Sequence, residues 1–337
     1  MKPKTLLFAV AAMTLAACSN DNEATGTATA LTVNANIEGV VNTRATATAF
    51  ESGDAIGITV TSTGNTKGEN VKYVWSATNS DNSSKFVASA TPIYYNDKND
   101  VAFSAYYPYT SSVSASAPSI TVSTADQSKQ AEFDYLFGSS TGKMALSNST
   151  AITFSHKMAK LTFTFVAGTG ASSDTNFAAN LGETSGSNKV YQIDNLVLEG
   201  TFNALTGVAA KASDKDAATL SPIITSASSS AIILPQTPAK SLKLTVAYKG
   251  VSYTAYAAIP TNGFEAGNNY TYEVKVNMTS LTISSATITN WITKDQESVT
   301  AGYEYPYDII DKGEDSGDDS GLGYDGEEDM EFNVETD

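Results

Sequence analysis

The chain has 337 residues, 41% of them apolar and 9% aromatic, enough for one or two hydrophobic cores and too many for a wholly disordered chain. A single histidine and a single cysteine leave little material for acid–base, thiol or tetrahedral zinc chemistry. Thirty-six acidic against twenty basic side chains supply no basic stripe for nucleic acid, and the wealth of Ser, Thr, Ala, Val, Tyr and Phe favours extended structure over helix.

Residues 1–17 read as a signal peptide. Lys2 and Lys4 supply the positive start, and Leu6 to Ala17 form an apolar run too short to span a bilayer. The end of that run, Leu15-Ala16-Ala17-Cys18, resembles a bacterial lipobox, which makes Cys18 the expected lipidation site. Acyl chains contribute about 0.8 kcal/mol per buried methylene, so attachment by more than one chain is stable. With Cys18 acylated, no thiol remains for a disulfide, a metal or a nucleophile. Residues 18–30 then form a polar tether whose acidity is similar to the surface-export signals of Bacteroidota lipoproteins.

Period-2 alternation begins at residue 31 and recurs to about residue 310. Leu31, Val33, Ala35 and Ile37 alternate with polar residues, and this first amphipathic stretch ends at Arg44, the only arginine in the chain. Ile56, Ile58 and Val60 follow, then Val71, Tyr73 and Trp75, then Val101, Phe103 and Ala105, each run bounded by turn material such as ESGD or YNDKND. The pattern returns in Leu161, Phe163 and Phe165, in Leu242, Leu244 and Val246, in Tyr253, Ala255 and Ala257, and in Tyr270, Tyr272, Val274 and Val276. Short strands with one apolar face predict an all-β protein of two tandem β-sandwiches. The Ser/Gly-rich segment around 139–150 places the expected division at 31–147 and 148–297.

Beyond Trp291 the pattern changes. Val299, Ala301, Tyr303, Tyr305, Tyr307 and Ile309 occupy every second position of 298–310, with Pro306 among the intervening residues. Proline lacks an N–H, so this run suits an edge or an inserted strand better than the middle of a continuous sheet. Residues 311–337 carry twelve acidic side chains and one lysine, with little apolar content, and read as a disordered tail.

Nothing in these patterns assembles catalytic machinery. His156, in FSHKMAKLTFTF, has no cysteine to pair with and reads as a hydrogen-bonded structural residue. Asp315, Asp318, Asp319 and Asp325 lack the spacing of an EF-hand loop, and Trp75 and Trp291 lie in or beside strand patterns as core residues do. The expectation is a protein that assembles or binds, with no enzymatic activity, no cofactor, no metal site and no nucleic-acid partner.

The succession of lipobox, TRA, FESGDAIGI (50–58), VKYVW (71–75), VAFSAYYPY (101–109), DYLFG (134–138), ITFSHKMAKLTFTF (152–165), GFEAGNNYTYEVKVN (263–277) and ATITNW (286–291) resembles the fimbrillin family of Bacteroides and Porphyromonas, the lipoprotein precursors of type V pili. The resemblance implies two transthyretin-like β-sandwich domains and transport to the outer membrane surface as a lipoprotein. It also implies cleavage by an arginine-specific or trypsin-like protease, which removes the first strand and leaves a groove for a strand donated by the next subunit. Carried to these residues, the cut falls between Arg44 and Ala45, the departing strand offers Leu31, Val33, Ala35 and Ile37, and 298–310 is the candidate donor. The expected partners are other fimbrial subunits including further copies of the chain, the outer membrane before maturation, the protease, and a host or bacterial surface receptor. Three alternatives stay open. DMEFNVETD (329–337), with Met330, Phe332 and Val334 alternating, is a shorter donor on an acidic linker. The chain is otherwise a tip or anchor subunit, or a surface lipoprotein that binds glycans.

Overall fold

The alternating runs become half-buried strands in the computed structural model, which describes residues 29–38, 49–96, 99–142, 149–183 and 191–291. The first half holds β1 (Thr29–Ala30), β2 (Thr32–Ile37), β3 (Ala55–Val60), β4 (Val71–Thr78), β5 (Ser84–Ala88), β6 (Tyr94–Tyr95), β7 (Val101–Tyr107), β8 (Ser119–Ser123), β9 (Leu136–Gly142) and β10 (Ser149–His156). The second holds β11 (Ala159–Ala167), β12 (Tyr191–Leu196), β13 (Glu199–Asn203), β14 (Ala209–Lys211), β15 (Ala218–Leu220), β16 (Ile223–Thr225), β17 (Ser228–Ile233), β18 (Leu242–Tyr248), β19 (Val251–Ala257), β20 (Asn268–Val276), β21 (Leu281–Ile283) and β22 (Thr287–Asn290). Two short α-helices, α1 (Gln130–Phe133) and α2 (Phe177–Asn180), complete the α-helical content of the described residues, and the fold is all-β.

Seven strands close into a barrel in the order β10-β2-β5-β4-β3-β7-β9. Closure depends on β10, which runs parallel to β2 from Ser149 to Phe154 and then pairs Ser155 and His156 with Phe137 and Leu136 of β9. Gly138 of β9 permits that approach, because a Cβ there would lie 2.5 Å from the Thr153 carbonyl oxygen. Leu31, Val33, Ile56, Ile58, Tyr73, Phe86, Phe103 and Phe154 fill the interior, as alternate positions on inward faces must. Strand β10 lies beyond residue 147 and belongs to the first barrel. The Ser/Gly-rich composition marks the connection between two neighbouring barrel strands, and the change of sheet comes after His156.

The second half packs a six-stranded sheet (β16-β17-β11-β20-β21, with β22 also on β20) against a four-stranded one (β15-β12-β18-β19). Leu161, Phe163 and Phe165 of β11 and Tyr270, Tyr272 and Val274 of β20 point into the shared core, and Phe163 stacks on Tyr272 at 5.3 Å. Their threonine and charged neighbours face outward, the signature of a sheet with one buried face.

A third core joins the halves. Strand β8, early in the chain, pairs with β13 of the second half, and beneath that three-stranded sheet lie Tyr106, Val122, Tyr135, Met158, Phe202 and Trp291. Tyr135 stacks on Phe202 at 4.3 Å. Buried Gln127 stitches the layer: its amide donates to the Ile232 carbonyl at 2.9 Å and accepts from the Ile232 N–H at 2.8 Å, as a neighbouring strand would. A buried amide so satisfied stabilises the join, whereas removing it strands two backbone groups.

One carboxylate ties the α2 turn to β18. Asp174 accepts from the Tyr248 hydroxyl at 2.6 Å and the Asn180 amide at 2.8 Å, with Lys249 Nζ at 3.1 Å. The Tyr248 bond first, and the Asn180 bond next, hold its carboxyl well below the ordinary carboxylate range. A group depressed on folding adds stability above its unfolded pKa of about 4 and loses it as pH falls through the folded value. Urea titrations at pH 6 and pH 3 should therefore show Asp174→Asn less stable than the natural protein at pH 6, with the gap narrowed at pH 3.

Candidate functional site

The site suggested by the sequence centres on the first strand, and the described residues show what holds it. Residues 29–38 are secured along their length: Thr29 and Ala30 pair with Tyr95 and Tyr94, the Leu31 N–H donates to the Ile93 carbonyl at 2.8 Å, and the Glu38 N–H donates to Phe154 at 2.7 Å. Between these ends β2 lies in the barrel wall with β10 parallel on one edge and β5 antiparallel on the other. Val33 is level with Thr150 and Phe86, Ala35 with Ile152 and Ser84, and Ile37 with Phe154. Leu31, Val33 and Ala35 are buried at 1%, 0% and 1% exposure, while Ile37 is half-buried at the barrel's end.

Removal of this strand opens a slot of defined chemistry. It would bare the inward faces of Ile152, Phe154 and Phe86 and the backbone edges of β5 and β10, a state that is costly unless refilled. Phe50 closes the slot from above: its ring centroid lies 5.1 Å from Phe86, 5.4 Å from Phe154 and 5.5 Å from Tyr107, and its carbonyl accepts from Ser84 Oγ at 3.3 Å. The slot walls named here are apolar apart from the Ser84 and Thr150 hydroxyls, so an amphipathic strand fits it and a soluble charged ligand does not.

At the Glu38 end of β2 lies a hollow of about 290 Å³ lined by Glu38, Ser155, His156, Asn268, Asn290 and Trp291 among others. His156 is buried, and its Nδ1 lies 2.8 Å from Asp134 Oδ1. Because a carboxylate only accepts, Nδ1 is the donor in that contact. The ring stacks on Trp291 at 4.1 Å and 7°, and Nε2 has no partner. The hydrogen-bonded His156 and buried Trp291 pack as residues of the third core and its edge, as their sequence context suggests. Phe50 and Ser84 are residues of the slot that alternation does not reveal, because one precedes its strand and the other begins one. Cys18, Arg44, Ala45 and the run Val299, Ala301, Tyr303, Tyr305, Tyr307 and Ile309 lie outside the described residues, as do 311–337.

A family model described as fimbrillin-like matches residues 43–291. The chain belongs to that family. A curated relative, "Putative fimbrium subunit Fim1C" of Bacteroides uniformis, is 27% identical over 297 residues, covering 85% of this chain and 94% of its own. A crystal structure described as a "putative cell adhesion protein" from Bacteroides uniformis superposes with a TM-score of 0.63 at 25% identity, over 78% of this chain and 99% of that one. Another so described, from Bacteroides ovatus, gives 0.60 at 28% identity, over 80% and 99%. Fimbrillin-like proteins such as these are structural and adhesive proteins rather than enzymes.

Proposed function

We propose that this fimbrillin-like chain is a structural subunit of a cell-surface fimbria, and that it polymerises by exchanging its first strand for one donated by the next copy. Export as a lipoprotein through Cys18 brings it to the outer membrane, and cleavage between Arg44 and Ala45 frees residues 19–44 together with the lipid-bearing cysteine. The observation that carries this reading is the setting of β2: a short strand held on both edges, buried along one face, and followed within a few residues by the only arginine of the chain. The extent of the family match, 43–291, agrees with it, since the matched region starts beside Arg44 and stops before the candidate donor.

Energetics favour replacement over vacancy. A donated strand that buries three or four large side chains at roughly 1.5–3 kcal/mol each, and completes two backbone ladders, makes a long-lived junction. Adhesion to a host or bacterial receptor is the expected role of the finished fibre. N-terminal sequencing of protein recovered from the cell surface tests the scheme. A start at Ala45 supports a polymerising subunit, and retention of an acylated Cys18 places the chain as an anchor or a glycan-binding lipoprotein instead.

A further inference from the structure

We propose that the free edge of β8 binds an extended, basic segment of a partner protein, which adds to it as a strand and sets its apolar side chains in the hollow beside that edge. The surface lies outside the first-strand slot, so the inference stands whether or not strand exchange occurs. Strand β8 ends the three-stranded sheet β14-β13-β8, and among the described residues no strand pairs with its other side. Two bonds fix which of its backbone groups point there. Thr124 donates its N–H to the Leu198 carbonyl at 2.8 Å, and Ala204 donates to the Pro118 carbonyl at 2.9 Å. Both pairs continue the register of β8 with β13, so Pro118, Ile120, Val122 and Thr124 direct their backbone groups at β13. An antiparallel ladder alternates, which turns the N–H and C=O groups of Ser119, Thr121 and Ser123 outward to the open edge.

A hollow of about 440 Å³ adjoins the strand, lined by Thr121 and Ser123 and by the buried Val122, Phe133 and Tyr135. Unpaired backbone groups beside an apolar pocket are what strand addition uses: the backbone supplies affinity, and alternate side chains fill the pocket. Charge names the partner. Asp126 pairs with Lys129 at 3.9 Å, which leaves Glu132 as the uncompensated charge among the hollow's described residues. The whole chain carries a formal charge of -16, so a second copy is repelled where a lysine-bearing segment is attracted. Other sheet edges offer less. Strands β14, β15, β16 and β21 have three residues each, and β19 has β21 beside it. Strand β8 has five residues and, unlike a guarded edge, carries no lysine or proline.

Titration of the unprocessed full-length protein with labelled synthetic peptides, read by fluorescence anisotropy, tests this surface apart from strand exchange. A peptide that alternates valine with lysine should bind, and its counterpart that alternates valine with glutamate should bind about tenfold more weakly. Thr121→Pro removes an outward N–H that β13 does not use and puts a ring in its place, so it should abolish binding, whereas Thr121→Val should retain it. The lysine peptide with an N-methylated backbone should fail on the natural protein in the same way, which does not depend on how the proline variant folds. Glu132→Gln should weaken the lysine peptide about threefold and leave the glutamate peptide no weaker. Equal binding of the two peptides, binding that survives both Thr121→Pro and N-methylation, or no binding at all overturns the proposal. Self-association that Thr121→Pro abolishes assigns the edge to a second copy instead. Peptide binding that appears only on deletion of 292–337 assigns it to the chain's own C-terminal segment, and likewise overturns the proposal.

Discussion

A precursor carrying Arg44→Ala is expected to remain at its unprocessed length and to form no polymer detectable by electron microscopy. The size of the effect follows from the uniqueness of the residue: an arginine-specific protease has no second arginine to use in this chain. Without the cut, β2 keeps both edges of the slot occupied, and Leu31, Val33 and Ala35 stay where a donor would have to enter. An intact strand cannot be displaced by an equivalent one at useful rates, since its side chains and ladder bonds must all be released first. Arg44→Lys separates the two classes of protease. It restores processing by a trypsin-like enzyme and not by one specific for arginine. Normal fibres from Arg44→Ala would remove the cut from the scheme.

Deletion of 298–310 is the second change with a large expected effect. The truncated chain should be cut after Arg44 like the natural one and then fail to elongate, because its slot can accept but it has nothing to donate. Deletion of 311–337 should leave both steps intact, since those residues are mostly charged and their one alternating run, Met330, Phe332 and Val334, is short. The reverse outcome, loss of fibres only with the tail deletion, transfers the donor role to 329–337 with Met330, Phe332 and Val334. Native gels of the processed proteins distinguish the two outcomes, as monomers in one lane and a ladder in the other.

Strand identity was legible wherever one face is buried and the other wet. Leu161-x-Phe163-x-Phe165 and Tyr270-x-Tyr272-x-Val274 are visible by period alone, and both lie in the sandwich core. The pairing of those strands was less legible, because alternation tells which face is inward and not which neighbour is beside it. Thus β10 reads as the opening of a second domain, and only its register with β2 and β9 puts it in the barrel. Strand β8, with its mostly exposed pattern, gives no hint that it pairs across the molecule with β13. The inward face of β2 could be read from Leu31, Val33, Ala35 and Ile37. Phe50 and Ser84 could not, because their roles arise from the contacts of Phe50 with Phe86, Phe154 and the Ser84 hydroxyl rather than from any local pattern.

Leu31→Ala offers the most direct test that β2 is exchanged for another strand. Leu31 is 1% exposed in the intact chain, and truncating a buried leucine costs roughly 2–5 kcal/mol. Denaturant unfolding of precursor and polymer should therefore give opposite answers for the same substitution. The precursor should lose that amount of stability, while processed polymers should match the natural ones, because residue 31 has left the assembly. An equal loss in the polymer would show that the first strand stays in the barrel, and would contradict strand exchange.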